Sequence, residues 1–117
     1  MVNSGWDEAT LKVAIAKARE AAAVANAVEP RAESAYYDQS SDRIVINLKS
    51  GATYSFPPAL AQGLAGASSE DLAEVEVTPS GDGLHWEKLD ADFSVPALLA
   101  GVFGTAAWMA QINMKAS

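Results

Sequence analysis

Arg43-Ile44-Val45-Ile46-Asn47-Leu48, then Lys49-Ser50-Gly51, then Ala52-Thr53-Tyr54-Ser55-Phe56 and Pro57-Pro58, is a β-hairpin written in alternation. Ile44, Ile46 and Leu48 fall on one face of a strand, and Val45 and Asn47 on the other. Lys49-Ser50-Gly51 is a tight-turn signal, because glycine takes a positive φ without a Cβ penalty. Tyr54 and Phe56 share a face of the returning strand, which the two prolines stop.

Working outward, a further strand is expected over about 32–37, joined by the polar turn Asp38-Gln39-Ser40-Ser41-Asp42. Ala59–Ala65 reads as a helical patch. Ser68 or Ser69 caps a short helix through Glu74. Val75 and Val77 resume strand alternation with Glu76 opposite, and Thr78-Pro79-Ser80-Gly81-Asp82-Gly83 is dense turn chemistry. Leu84-His85-Trp86 returns as a strand with Leu84 and Trp86 on one face. His85 then faces away, across from Glu76. Ser94 caps a closing helix with Pro96 in its first turn. Val95, Leu98, Leu99, Val102, Phe103 and Ala106 follow the helical period and should face the core. Gly104 breaks this helix, and Thr105 starts another piece bearing Trp108, Met109 and Ile112.

At the other end, residues from about 5 to 28 read as one long helix. Ser4 and Asp7 resemble a capping box, alanine is abundant, and Glu8 and Lys12 form a favourable i,i+4 pair. Its inner face, Leu11, Ile15, Ala18, Ala22 and Ala25, is small-sided and would bury little. Pro30 ends it, since the residue before a proline is pushed out of the α region. The expected class is α+β: a long N-terminal helix, a small mostly antiparallel sheet, and closing C-terminal helices. Residues 1–30 form a helical extension and 31–117 a small α+β domain, one compact unit overall, as a length of 117 residues favours.

Composition excludes several chemistries. The chain has no cysteine, so disulfide scaffolds, thiol nucleophiles and cysteine-built zinc or iron–sulfur sites are ruled out. It has one histidine, so a histidine-built metal site is not expected either. His85 and Glu87 give a His-x-Glu pair, but the Pro-Cys-x-x-Cys partner of zinc deaminases cannot exist here. There is no Gly-x-Ser-x-Gly elbow, P-loop or dinucleotide fingerprint. No cofactor is expected. Tyr36, Tyr37, Tyr54 and Phe56 could stack nucleobases, yet at strand spacing they read as core. The start of the chain lacks a secretory signal pattern. The uncharged run from Phe93 to Met114 is interrupted by Pro96, Gly101, Gly104 and polar residues, so no membrane span is expected. A cytoplasmic setting follows, to which the absence of cysteine is suited.

Charge is the strongest functional signal. Between 70 and 92 lie Glu70, Asp71, Glu74, Glu76, Asp82, Glu87, Asp90 and Asp92 against Lys88 alone, a net −7 that equals the formal charge of the whole chain. The basic residues are dispersed, so direct nucleic-acid binding is not expected. An acidic segment can be a solvated face that serves solubility, or it can steer a basic partner.

The order of Asp42-Arg43-Ile44-Val45-Ile46-Asn47-Leu48, Gly51-Ala52-Thr53-Tyr54-Ser55-Phe56-Pro57, Leu84-His85-Trp86-Glu87 and Leu89-Asp90-Ala91-Asp92-Phe93-Ser94 resembles the bacterial domain-of-unknown-function 2442 family over about residues 33–110. The resemblance implies a small α+β module without assigned enzyme activity. It also implies a module sometimes fused to a helix-turn-helix domain and often encoded beside another small protein in toxin–antitoxin-like pairs. Trp86, Glu87, Asp90 and Asp92 are the positions carried over as motif residues. The expected function is therefore a non-enzymatic, antitoxin-like interaction or regulatory protein. It would bind a protein partner, small and basic, through Trp86, Glu87, Asp90, Asp92, Glu74 and Glu76. The alternatives are an acidic decoy that blocks a nucleic-acid-binding protein, and a small-ligand-binding or enzymatic domain around His85, Trp86 and Asp90. Self-association into a homodimer through small-residue helix faces stays open.

Overall fold

The computed structural model describes residues 11–17 and 29–116. Strand β1 (Ala32–Asp38), β2 (Arg43–Leu48) and β3 (Thr53–Phe56) form an antiparallel meander in the order β1-β2-β3. A second meander, β4 (Glu76–Val77), β5 (Gly83–Trp86) and β6 (Ala91–Ser94), forms another three-stranded sheet in the order β4-β5-β6. The described helices are α1 (11–17), α2 (Ser69–Leu72), α3 (Val95–Leu99) and α4 (Ala106–Ala116), with a 3-10 turn at Pro58–Leu60.

The hairpin at the centre of the sequence forms as its alternation requires. Ile44 and Ile46 are completely buried and pair with Phe56 and Tyr54 across β3. Its turn closes through Gly51 N–H donating to Leu48 C=O at 2.9 Å, with Gly51 at φ 98°. On the opposite face Val45 lies between Tyr36 and Ser55, and its place on the central strand leaves it only 9% exposed. The turn before the hairpin is held by Asp38, whose carboxylate accepts from the Ser40 amide and hydroxyl. Those hydroxyl bonds, with one from Ser41, hold the Asp38 carboxyl below the usual carboxylate range.

One core joins both sheets. Ile44, Ile46 and Phe56 of the first share a buried cluster with Leu84 and Trp86 of the second, sealed by Leu72, Val95 and Leu98 from the helices. The sheets meet at a seam where the Ala32 N–H donates to the Gly81 carbonyl at 2.7 Å. A Cβ on Gly81 would lie 2.6 Å from the Ala32 oxygen, and its φ of 79° also favours glycine.

Three expectations need correction. The first is the long N-terminal helix: the described residues show helix at 11–17, while the rest of the expected span, 5–10 and 18–28, lies outside the described residues. Alanine-rich propensity argued for length, but helices in proteins are held mainly by tertiary burial of an apolar face. Here Leu11, Val13 and Ile15 stay 50%, 54% and 43% exposed. The second is the single small sheet, which is two sheets; the class is α+β only in this looser sense. The missed strand is β6, whose Ala91-Asp92-Phe93-Ser94 sits where the sequence reads as acidic loop. The third is the closing helix, which stops at Leu99. Gly101 at φ 86° donates to Leu98 C=O, and Val102 N–H donates to Ala97 C=O. That pair of bonds is a Schellman C-cap, so Val102 ends 46% exposed instead of in the core.

The expected boundary near 104 is real in another sense. Thr105 Oγ1 accepts from the Trp108 N–H and opens α4. Gly104 is packed so tightly that a Cβ would meet the Gln62 and Trp108 side chains at 2.6–2.7 Å. A further correction concerns the Ala59–Ala65 patch, which is the 3-10 turn ending where Ala61 is extended (φ −99°, ψ 127°), followed by a turn in which the Leu64 and Ala65 N–H groups donate to Ala61 C=O. No helix among the described residues is long and apolar enough to cross a membrane.

Candidate functional site

The second sheet presents two faces of opposite character. Leu84 and Trp86 point inward and are fully buried. The Trp86 indole N–H donates to the Leu72 carbonyl at 3.0 Å, and its ring meets Phe93 edge-on at 5.7 Å. Trp86 thus anchors the sheet to α2 and offers no surface to a partner, although the sequence marks it as a contact.

Outward, one residue from each strand forms a row: Glu76, His85 and Asp92, aligned by the registers Glu76↔His85 and His85↔Asp92. The backbone explains which neighbour His85 chooses. The Thr78 N–H donates to the Gly83 carbonyl, so Gly83 points its backbone groups toward β4. Alternation then turns Leu84 and Trp86 toward β6 and His85 toward β4. The His85–Asp92 pair is consequently non-hydrogen-bonded along the ladder, the closer of the two pair types for side chains. His85 Nδ1 and Asp92 Oδ1 lie 2.6 Å apart. This bond raises the His85 pKa above its usual range. The negative charges of Asp92, Glu76 and Glu87 add to that, against a partial desolvation that opposes it.

The remaining acidic candidates divide into two groups. Glu74, Glu76 and Glu87 surround a shallow cleft of about 460 Å³ together with Val75. All three carboxylates are exposed. Asp90 and Asp92 instead line a second cleft of about 490 Å³ beside β6, with Phe93, Val102 and Gln62 among its walls. Asp90 takes φ 49° and closes the β5–β6 turn through its N–H bond to Glu87 C=O. Lys88 Nζ sits 3.6 Å from Asp71 Oδ1.

Chemically, the surface shows no assembled catalyst among the described residues. The side-chain hydrogen bond of His85 among the described residues is to Asp92 and not to a hydroxyl. No group of three or more His, Cys, Asp or Glu among the described residues is placed to hold a metal ion. Asp82 is a turn residue: its carboxylate accepts from the Ser80 and Thr78 hydroxyls at 2.6 and 2.9 Å, which lowers its pKa. Sequence reasoning missed that β6 is an open strand edge. The available signal was Phe93 spaced two residues from Ala91, an alternation interrupted by acids.

Comparison with known proteins places this geometry in a wider set. A family model described as "Protein of unknown function (DUF2442)" matches residues 32–104. A crystal structure of a protein of unknown function from Rhodospirillum rubrum is similar at 58% identity and a TM-score of 0.67, covering 69% of this chain and 98% of its own. The solution structure of an uncharacterized protein from Chromobacterium violaceum is similar at 29% identity and a TM-score of 0.66, covering 94% of this chain and 95% of its own. No curated protein matches.

Proposed function

We propose that this protein, which belongs to the DUF2442 family, works by binding another protein through the acidic surface of its second sheet, as an antitoxin-like regulator without catalysis of its own. The observation that supports this reading is the convergence of Glu74, Glu76 and Glu87 on one cleft, beside the outward row Glu76–His85–Asp92. Separate elements deliver these carboxylates: the loop after α2, strand β4, and the turn after β5. Like charges gathered on a scaffold repel one another, and a basic partner relieves that repulsion. Such a partner would be drawn in at low ionic strength and screened at high. The setting of this reading is the cytoplasm, where a chain without cysteine loses nothing to a reducing environment.

The test is retention of one stoichiometric basic protein, the product of the neighbouring gene, on the tagged chain. It should hold at low salt and elute at high salt. The combined substitution Glu74→Gln, Glu76→Gln and Glu87→Gln should abolish retention while the thermal transition stays in place. Retention unchanged by that triple variant overturns the reading.

A further inference from the structure

We infer that β6 is a docking edge: the cleft beside it takes an extended, basic peptide segment of the partner as a fourth strand of the second sheet. This inference rests on the protein-binding reading above and names how the partner engages.

The cleft is lined by Asp90, Ala91, Asp92, Phe93 and Ser94, five consecutive residues. Side chains of a strand alternate between faces, so a groove on one face touches every second residue. A groove that touches all five runs along the edge. The backbone phase agrees. With Leu84 and Trp86 turned toward β6, Phe93 and Ala91 return those bonds, and the Asp92 N–H and C=O point out of the sheet into the cleft. No turn, loop or cap bond among the described residues uses either group. Pairing along β6 spans about 13 Å, enough for one donor–acceptor pair at its centre with side-chain contacts on either side. Val102, 46% exposed because the Schellman turn holds it outside the core, supplies an apolar contact in the same cleft.

Charge selects the occupant. The ionisable residues lining the cleft are Asp90 and Asp92; no base lines it with them, and His85 bonds the Asp92 carboxylate from the neighbouring strand. A second copy of this chain pairing edge to edge would set these acids against each other, which is unfavourable in a ladder. A strand carrying lysine or arginine on alternate residues would instead meet both carboxylates while its backbone engages Asp92.

The experiment uses the full chain and a blocked octapeptide alternating lysine with valine, with a glutamate–valine octapeptide as control. Binding is followed by amide chemical shifts and hydrogen exchange. The expected result is a shift and slowed exchange at the Asp92 amide with the lysine peptide and none with the control. Asp92→Pro removes the outward N–H, a change that edge strands tolerate at such positions. It should weaken binding by about tenfold or more, whereas Asp92→Asn, which keeps the N–H, should weaken it less. Exchange on the unaltered chain keeps the test valid if the proline variant unfolds. Shifts confined to Glu74, Glu76 and Glu87 would overturn the edge inference and leave the acidic-surface reading standing. Absence of lysine-peptide binding, equal binding of the control, or concentration-dependent self-association through the Asp92 amide would each overturn it too. Loss of the salt-sensitive partner in the triple glutamine variant is the separate test of the parent reading.

Discussion

The two sheets are the same device built twice: three antiparallel strands in sequence order, one apolar face turned to the common core, one polar face turned to water. They differ in what crosses the polar face. On the first sheet the row is neutral, with Asn47 donating to Ser34 Oγ at 3.1 Å and accepting from Thr53 Oγ1 at 3.2 Å. On the second it is Glu76, His85 and Asp92, of which His85 and Asp92 are joined by a bond that strengthens with proton uptake. The backbone supplies equivalent rows, and the side chains decide whether a row merely ties strands or also answers to pH and charged partners.

The harshest way to break the comparison is to empty the core beneath one sheet. Trp86→Ala removes the largest fully buried side chain and orphans the Leu72 carbonyl. It should cost about 3–5 kcal/mol in denaturant unfolding. Next is the seam. Gly81→Ala should cost about 1–3 kcal/mol from the left-handed backbone, and more if the 2.6 Å approach to Ala32 cannot relax. Gly51→Ala, with a similar positive φ but open space around it, should show the strain without the clash and destabilise less. Urea midpoints of the two variants separate these contributions.

Proton linkage sharpens the contrast further. The folded-state pKa of His85 is raised, so its pairing with Asp92 stabilises fully below the unfolded value of about 6.5 and is lost as pH rises through the higher folded value. The thermal midpoint of the unaltered chain should therefore fall relative to His85→Gln as pH is taken upward from 6.5. The smallest effect belongs to the neutral row: Asn47→Ala loses two exposed bonds, about 0.5–1.5 kcal/mol, and its deficit should not change across the same pH window.

Legibility followed the same division. The first sheet was readable from residues 43–56 because Ile44, Ile46 and Phe56 alternate cleanly and Gly51 marks the turn. The second was half readable. Leu84 and Trp86 alternate as expected, but β6 depends on Asp90 taking a positive φ, which an aspartate announces far less clearly than a glycine. The N-terminal helix is described only over 11–17, where Leu11, Val13 and Ile15 stay exposed; propensity is local and does not announce burial. Of the candidate residues, Glu74, Glu76 and Glu87 come together on one cleft, Asp90 and Asp92 on another, and Trp86 between them inside the core.

The Ala32–Gly81 bond carries a kinetic consequence. Each meander is closed by neighbours in sequence, so its hairpins can form on the microsecond scale without the rest of the chain. The bond between them joins the first residue of β1 to the loop before β5, across the whole first sheet, the connection that holds the 3-10 turn and α2, and strand β4. Its formation must await the costly closure of that long loop. Assembly then has a natural order, two quick local halves and one slow docking, and substitutions at Gly81 should slow refolding more than those at Gly51.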